Sequence, residues 1–152
     1  TGEIWLKADS MMKGYFKNPE ATAEAFSGPW YRTGDVARLD EDGYLFIVDR
    51  TKDMIVTGGE NVYSKEVEDA IAGHPDVMES AVIAVPHPEW GETVAAIIVP
   101  AKGKTLTAES LSAFLADKLA KFKIPRTFRF VESLPHTPSG KIMKYKLREE
   151  HQ

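Results

Sequence analysis

Residues 43–61 read GYLFIVDRTKDMIVTGGEN. Two short apolar runs, 44–48 and 53–57, suit β-strands. The run Asp49-Arg50-Thr51-Lys52-Asp53 joins them and carries four charges in five residues. A two-residue hairpin would ask for Asn-Gly or Asp-Gly at this point. The run is therefore predicted to be a polar connector held in place between strands. Gly58-Gly59 follows as a turn, with Glu60 and Asn61 just beyond it.

Outward from this stretch, the two sides differ. Upstream, residues 3–7 suit a strand. Pro19 to Phe26 suits a short helix, with Asn18 as N-cap and Pro19 at the first helical position. Trp30 to Thr33 is extended, and residues 40–43 form a turn. Few apolar runs of core size occur before residue 49. Downstream, Ser64 is predicted to cap a helix reaching Ala72, with Val67, Ala70 and Ile71 on one face and Gly73 at its stop. Strands are predicted over 80–85, 93–100 and 127–131. Thr107 is predicted to cap a helix through Lys121 whose apolar positions are Leu111, Phe114, Leu115, Leu119 and Phe122. A short helix over 142–150 ends the pattern. The order helix, strand, strand, helix, strand makes an α+β domain. It consists of a three-stranded sheet with flanking helices on one face, plus the short β-hairpin. The boundary is expected after residue 48: an incomplete β-rich edge over 1–48, and a small domain over 49–152.

Bulk composition excludes several classes. The chain has 152 residues, 43% hydrophobic and 28% charged, normal for a globular protein. No apolar run approaches the ~20 residues of a membrane span. Thr1 to Ser10 are mixed in character, unlike a secretory leader, and the first residue is not Met, which is expected of a fragment or a processed product. No cysteine is present, which excludes disulfides, thiolate metal sites and cysteine nucleophiles. Its absence fits a cytoplasmic location. A net charge of −4 argues against a nucleic-acid partner. Between Lys121 and Arg148 the chain is locally basic, opposed by Glu132 alone. That run reads either as a solvated surface or as a face for a phosphate-bearing small molecule.

Several motifs are rejected. His74, His87, His136 and His151 lack zinc-like spacing, so no metal site is expected. His87 and His136 sit beside prolines and read as surface residues. No G-x-S-x-G is present. Ser139-Gly140-Lys141 lacks the first glycine and the Ser/Thr of a P-loop. Three features stay open on the residues alone. Lys141, on a flexible Pro-Ser-Gly turn, is either an exposed loop lysine or a point charge for an anion. Asp35, after Thr33-Gly34, either caps a turn or accepts hydrogen bonds from ribose hydroxyls. Gly58-Gly59 is a plain turn or a place where backbone approaches a ligand closely.

Taken together, Gly2-Glu3-Ile4, Gly14-Tyr15, Tyr31-Arg32-Thr33-Gly34-Asp35, residues 43–68 and Pro138-Ser139-Gly140-Lys141 resemble the late motifs of the adenylate-forming, AMP-binding superfamily. That superfamily holds acyl-CoA synthetases, peptide-synthetase adenylation domains and beetle luciferases. Gly58-Gly59-Glu60-Asn61-Val62-Tyr63 and Trp90-Gly91-Glu92 look most like medium- or long-chain fatty acyl-CoA synthetases. The resemblance implies a mobile C-terminal domain over 49–152, preceded by an edge of the large N-terminal domain. It implies a ligase that converts a carboxylic acid, ATP and coenzyme A into an acyl-CoA through an acyl-adenylate, with Mg2+ accompanying ATP.

On matching positions, Asp35 would bind the ribose hydroxyls and Arg50 the ribose or phosphate beside it. Lys52 would contact the adenylate or hold the hinge strand, and Asp49 would be the hinge. Lys141 would be the catalytic lysine on the carboxylate and α-phosphate oxygens. Gly58, Gly59 and Glu60 would line the coenzyme A tunnel. The phosphate loop, adenine segment and acyl pocket of such enzymes lie upstream of the matched motifs. The isolated chain is therefore expected to be inert without that domain in cis, and its strand edges to favour self-association. The intact enzyme leaves room for peripheral membrane contact. The alternatives are a non-catalytic binding module of the same fold, an aryl-CoA ligase or a peptide-synthetase domain.

Overall fold

A computed structural model describes residues 1–151, which separate after Lys52 into two units. The first unit is a four-stranded antiparallel sheet. Strands β1 (Gly2–Leu6), β2 (Phe26–Ser27) and β4 (Leu45–Arg50) all pair with the long β3 (Trp30–Leu39). Helix α1 (Pro19–Ala25) starts as its sequence predicts: Asn18 Oδ1 accepts from Ala21 N–H at 3.0 Å and Pro19 takes the first position. Asp40 Oδ1 closes the turn before β4 by accepting from Asp42 and Tyr44 N–H. Only Val36 and Ala37 are buried apolar residues here, while Leu39, Leu45 and Ile47 stand more than half exposed. The scarcity of core-sized runs in the sequence becomes a sheet without a core of its own.

β4 runs further than its apolar residues suggested. Asp49 and Arg50 belong to it, opposite Val36 and Asp35 of β3. The free connector is thereby shortened to a turn over residues 51–53.

The second unit has the predicted order. Helix α2 (Ser64–Ala72) follows a hairpin of β5 (Ile55–Thr57) and β6 (Glu60–Val62). Next come β7 (Val77–His87), β8 (Gly91–Pro100), α3 (Ala108–Ala116), β9 (Thr127–Phe130) and α4 (Lys144–Glu150). β8 is the centre of the sheet: antiparallel to β7 along its whole length, and parallel to β9 over Ala95–Ile98. The hairpin is not separate. β5 joins β8 through Thr57 and Gly91, making five strands rather than three. The near-continuous apolar run of β8 is explained by burial on both faces. Val82, Val94, Ala96 and Ile98 pack under Val67 and Ile71 of α2 and Leu111 and Leu115 of α3. Ala81, Ile83, Ala95, Ile97 and Val99 pack under Leu134, Ile142 and Leu147. One face thus carries two helices and the other carries the C-terminal loop and α4. At ~25 cal/mol per Å2 of apolar surface removed from water, this double-sided core dominates the unit's stability.

Three local expectations change. Ser64 is not the cap of α2; Tyr63 occupies that position without a side-chain hydrogen bond, and Ser64 is the buried first helical residue. Helix α3 begins at the predicted Thr107 cap, completed by Ser110 in a capping box. It ends at Ala116 rather than Lys121, and Lys121–Lys123 form a separate 3-10 turn. Leu119 and Phe122 had continued the helical spacing. Leu119 is buried from the segment after the helix, so its burial does not require helix there.

Candidate functional site

The Thr33-Gly34-Asp35 run owes its geometry to a bulge. Glu3 pairs with Val36 and Trp5 with Arg32, so residues 33–35 together oppose the single residue Ile4. Gly34 takes φ +73°, a conformation that L side chains resist. A side chain there would also meet the Arg50 guanidinium at 3.5 Å. The bulge is tied at each residue. Thr33 Oγ1 donates to Ile4 O at 2.8 Å and accepts from Asp35 N–H at 3.0 Å. Gly34 N–H donates to Glu3 Oε1 at 3.1 Å, and Gly34 O accepts from Thr51 N–H at 2.8 Å. Asp35 is left with its carboxylate beside Arg50, Nε to Oδ1 3.2 Å, on a solvent-facing surface.

Glu3 is the residue that sequence reasoning passed over. Its carboxylate accepts from Trp5 Nε1 at 2.8 Å, from Gly34 N–H and from Arg32. The Trp5 hydrogen bond, the Arg32 charge and the Gly34 N–H hold this carboxyl below its ordinary range, against partial burial, which raises it. Gly2-Glu3-Ile4 is among the runs that carry the family resemblance, but no local pattern links Glu3 to a loop thirty residues away.

The charged run divides in role. Asp49 is 7% exposed, and its Oδ1 accepts from Arg50 N–H at 2.7 Å. Lys52 is exposed in the turn. Asp53 forms an ion pair with Arg148 of α4.

Gly58 and Gly59 make the β5–β6 turn with φ +57° and +85°. Positive φ at both central residues is what a type I′ hairpin requires, which explains the glycine pair. Gly58, Gly59 and Glu60 are exposed, with Glu60 opposite Thr57. The turn rests on Trp90. Gly58 N–H donates to Trp90 O at 3.3 Å, and a β-carbon at Gly58 would touch the indole at 3.6 Å. Trp90 stacks on His87 at 4.3 Å between ring centroids and 4° between planes. The Arg126 guanidinium lies 3.5 Å from the indole centroid, on the face that His87 leaves open. His87 Nδ1 also accepts from Glu89 and Trp90 N–H. It is half-buried rather than a free surface histidine, because the turn after Pro86 folds Trp90 back onto it.

Lys141 is exposed at the end of a tightly tied loop. Thr137 N–H donates to Lys141 O at 2.8 Å, Lys141 N–H to Thr137 Oγ1 at 3.1 Å, and Gly140 N–H to Thr137 O at 2.9 Å. Gly140 has φ +82°. The loop expected to be flexible is closed by these bonds and by the His136–Ile142 bridge. Its C-terminal side is anchored by α4. Lys144 Nζ reaches Glu68 Oε1 at 2.7 Å and Ser64 Oγ at 2.8 Å. Glu68 Oε1 also accepts from Val82 N–H at 2.8 Å, on the edge of β7 that no strand covers among the described residues.

Four of the eight cations between Lys121 and Arg148 are engaged inside the unit. Lys123 pairs with Glu66, Lys144 with Glu68 and Arg148 with Asp53, while Arg126 lies on Trp90. Acidic partners distant in sequence thus take three of its cations. Among the described residues no group of three or more His, Cys, Asp or Glu could hold a metal ion. The structure therefore assembles Asp35 with Arg50 in the first unit. In the second, Gly58, Gly59 and Glu60 lie beside Trp90, and Lys141 stands on its own loop.

Residues 66–141 match the family model of the AMP-binding enzyme C-terminal domain. The feruloyl-CoA synthase of Amycolatopsis sp is 48% identical over 97% of this chain and 30% of its own length. The long-chain-fatty-acid–CoA ligase FadD13 of Mycobacterium tuberculosis is 45% identical over 99% of the chain and 30% of its own length. Among solved structures, ATP-bound MatB from Rhodopseudomonas palustris superposes with a TM-score of 0.89 at 43% identity, covering 98% of this chain and 30% of that one. The chain thus spans about a third of the length of the relatives it matches.

Proposed function

The chain belongs to the AMP-binding enzyme C-terminal domain family, and from that membership we propose that it works within an AMP-forming acid–thiol ligase. In the first half-reaction a carboxylate oxygen attacks the α-phosphorus of ATP, the bond to pyrophosphate breaks, and an acyl-adenylate forms. In the second, the coenzyme A thiolate attacks the acyl carbon and AMP leaves. The observation that carries this reading is that the Asp35–Arg50 pair and a glycine-presented Lys141 occur on one chain. A module that merely binds needs no such set.

Asp35 accepts from the ribose hydroxyls, and Arg50 steadies its carboxylate and neighbours the phosphate. Lys141 offers an ammonium to the carboxylate and α-phosphate oxygens, where negative charge builds during attack. Gly58, Gly59 and Glu60 line the route of the thiol. Mg2+ would accompany ATP as its counter-ion. We assign the pivot between half-reactions to residues 51–53, next to Asp49. Asp49 is held in the β3–β4 ladder, whereas Lys52 sits in the turn at the division of the two units. Rotation at Lys52 would turn the Lys141 loop away and bring the Gly58-Gly59 loop to the same acyl group. Closure in either orientation would shield the mixed anhydride from water.

The test is the intact enzyme with ATP, coenzyme A and a panel of acids. AMP, pyrophosphate and a thioester are expected; ADP as product, or turnover without a thioester, would overturn the reading. Fatty acids are the first substrates to try, on the strength of the Gly58-Gly59-Glu60-Asn61-Val62-Tyr63 and Trp90-Gly91-Glu92 runs. Aryl acids are the second reading, favoured by the 48% identity to a feruloyl-CoA synthase.

A further inference from the structure

The hairpin that carries Gly58 and Gly59 is held to the sheet by very little backbone. β5 and β8 share a single register pair, Thr57 with Gly91, before the strands part. One residue further along β8, a side chain takes over the ladder's task. Glu92 Oε2 accepts from Val56 N–H at 3.0 Å, in the place where a neighbouring strand's carbonyl would otherwise stand. The Trp90 carbonyl holds Gly58 N–H, and the carboxylate of Glu92 holds Val56 N–H. The tripeptide Trp90-Gly91-Glu92 therefore grips β5 on both sides of Thr57. Among the described residues β6, the other strand of the hairpin, does not pair with β8.

We propose that Glu92 is a positioning residue for the thioester-forming half-reaction: its carboxylate sets the angle at which the hairpin presents Gly58 and Gly59. This rests on the acid–thiol ligase reading above. Glu92 acts as an acceptor and needs no charge for this task. Val56 is 42% exposed, whereas Ile55 and Val62 stay packed in the core, so losing the bond loosens the tip of the hairpin without unfolding the unit.

The experiment uses the intact enzyme carrying Glu92→Ala or Glu92→Gln. It measures adenylation by pyrophosphate exchange, and thioester formation from supplied acyl-adenylate over a range of coenzyme A. For Glu92→Ala, kcat/KM for coenzyme A should fall about five- to tenfold, the worth of one hydrogen bond, with adenylation unchanged. Glu92→Gln keeps an acceptor oxygen and should restore the wild-type value. Equal loss in both half-reactions would mean a structural role and overturn the proposal. So would an unchanged thioester step in Glu92→Ala, or a Glu92→Gln enzyme as impaired as Glu92→Ala. Failure of the unsubstituted enzyme to form any thioester would instead reject the ligase reading.

Discussion

Asp35 and Arg50 face each other across the β3–β4 ladder, and their side chains meet with Arg50 Nε 3.2 Å from Asp35 Oδ1. The pair is partly solvent-exposed, so its net worth to stability is only ~0–1 kcal/mol. The proposed ligand-binding role of the pair can therefore be separated experimentally from a role in folding. Asp35→Ala in the intact enzyme should raise KM for ATP and slow pyrophosphate release about a hundredfold, as expected when a positioning contact is lost. Thermal unfolding should shift by less than a few degrees. A large drop in stability with normal ATP kinetics would reverse this assignment. Arg50→Lys should recover little, since a lysine cannot reproduce the planar fork of the guanidinium.

Lys141 is held by its backbone and offers its side chain to solvent. Lys141→Ala should cost about two to three orders of magnitude in adenylation, comparable to removing one donor from a developing anion. Thioester formation from supplied acyl-adenylate should proceed near the normal rate. Equal damage to both steps would remove Lys141 from the first half-reaction.

Gly59 tests the turn. A β-carbon there meets nothing within 4 Å, so the penalty for Gly59→Ala is conformational, from φ +85°. It should lower stability by about 1–2 kcal/mol. Gly59→Trp should in addition slow thioester formation more than adenylation, by filling the route of the thiol. Stopped-flow comparison of the two steps decides this, and an unaffected thioester rate would exclude Gly59 from that route.

The Glu68–Lys144–Ser64 node joins α2, β7 and α4, with both charged side chains 17% exposed. Breaking a largely buried pair from one side strands the other charge. Glu68→Ala should therefore destabilise by about 3 kcal/mol, read as a shifted urea midpoint. Little change would mean that water replaces the pair without cost.

Glu3 predicts an acid sensitivity of the first unit. Its carboxyl is held below the ordinary value of 4.5, first by the Trp5 hydrogen bond. A depressed folded-state value contributes stability above the unfolded-state value, and that stability is lost as pH falls through the folded one. Trp5 fluorescence should report loosening of residues 33–35 below about pH 4.5. Glu3→Gln should flatten this response and leave a weaker bulge at neutral pH. An identical acid profile in that variant would remove Glu3 as the cause.

Much was legible because it is local. The Asn18 and Thr107 caps, the Gly58-Gly59 turn and the apolar spacing of α2 depend on residues within one turn of each other, and each stands where its residues placed it. Whole motifs likewise carry the family resemblance without any tertiary contact. The misreadings came from distant partners. α3 stops at Ala116 although Leu119 and Phe122 keep its spacing, because burial rather than periodicity places Leu119. β4 extends through Asp49 and Arg50 because β3 supplies ladder partners that charge alone would not suggest.

The sequence by itself determined most of the elements, the Asn18 and Thr107 caps and the positive φ of Gly58 and Gly59, since these follow from one residue and its neighbours. Only the tertiary structure decided what the charges are for. It sent Lys123, Lys144 and Arg148 of the basic run to acidic partners. It left Arg50 beside Asp35 and Lys141 in solvent. Ion pairing acts over a few ångströms of space, and folding alone sets which carboxylate lies within that reach of which cation.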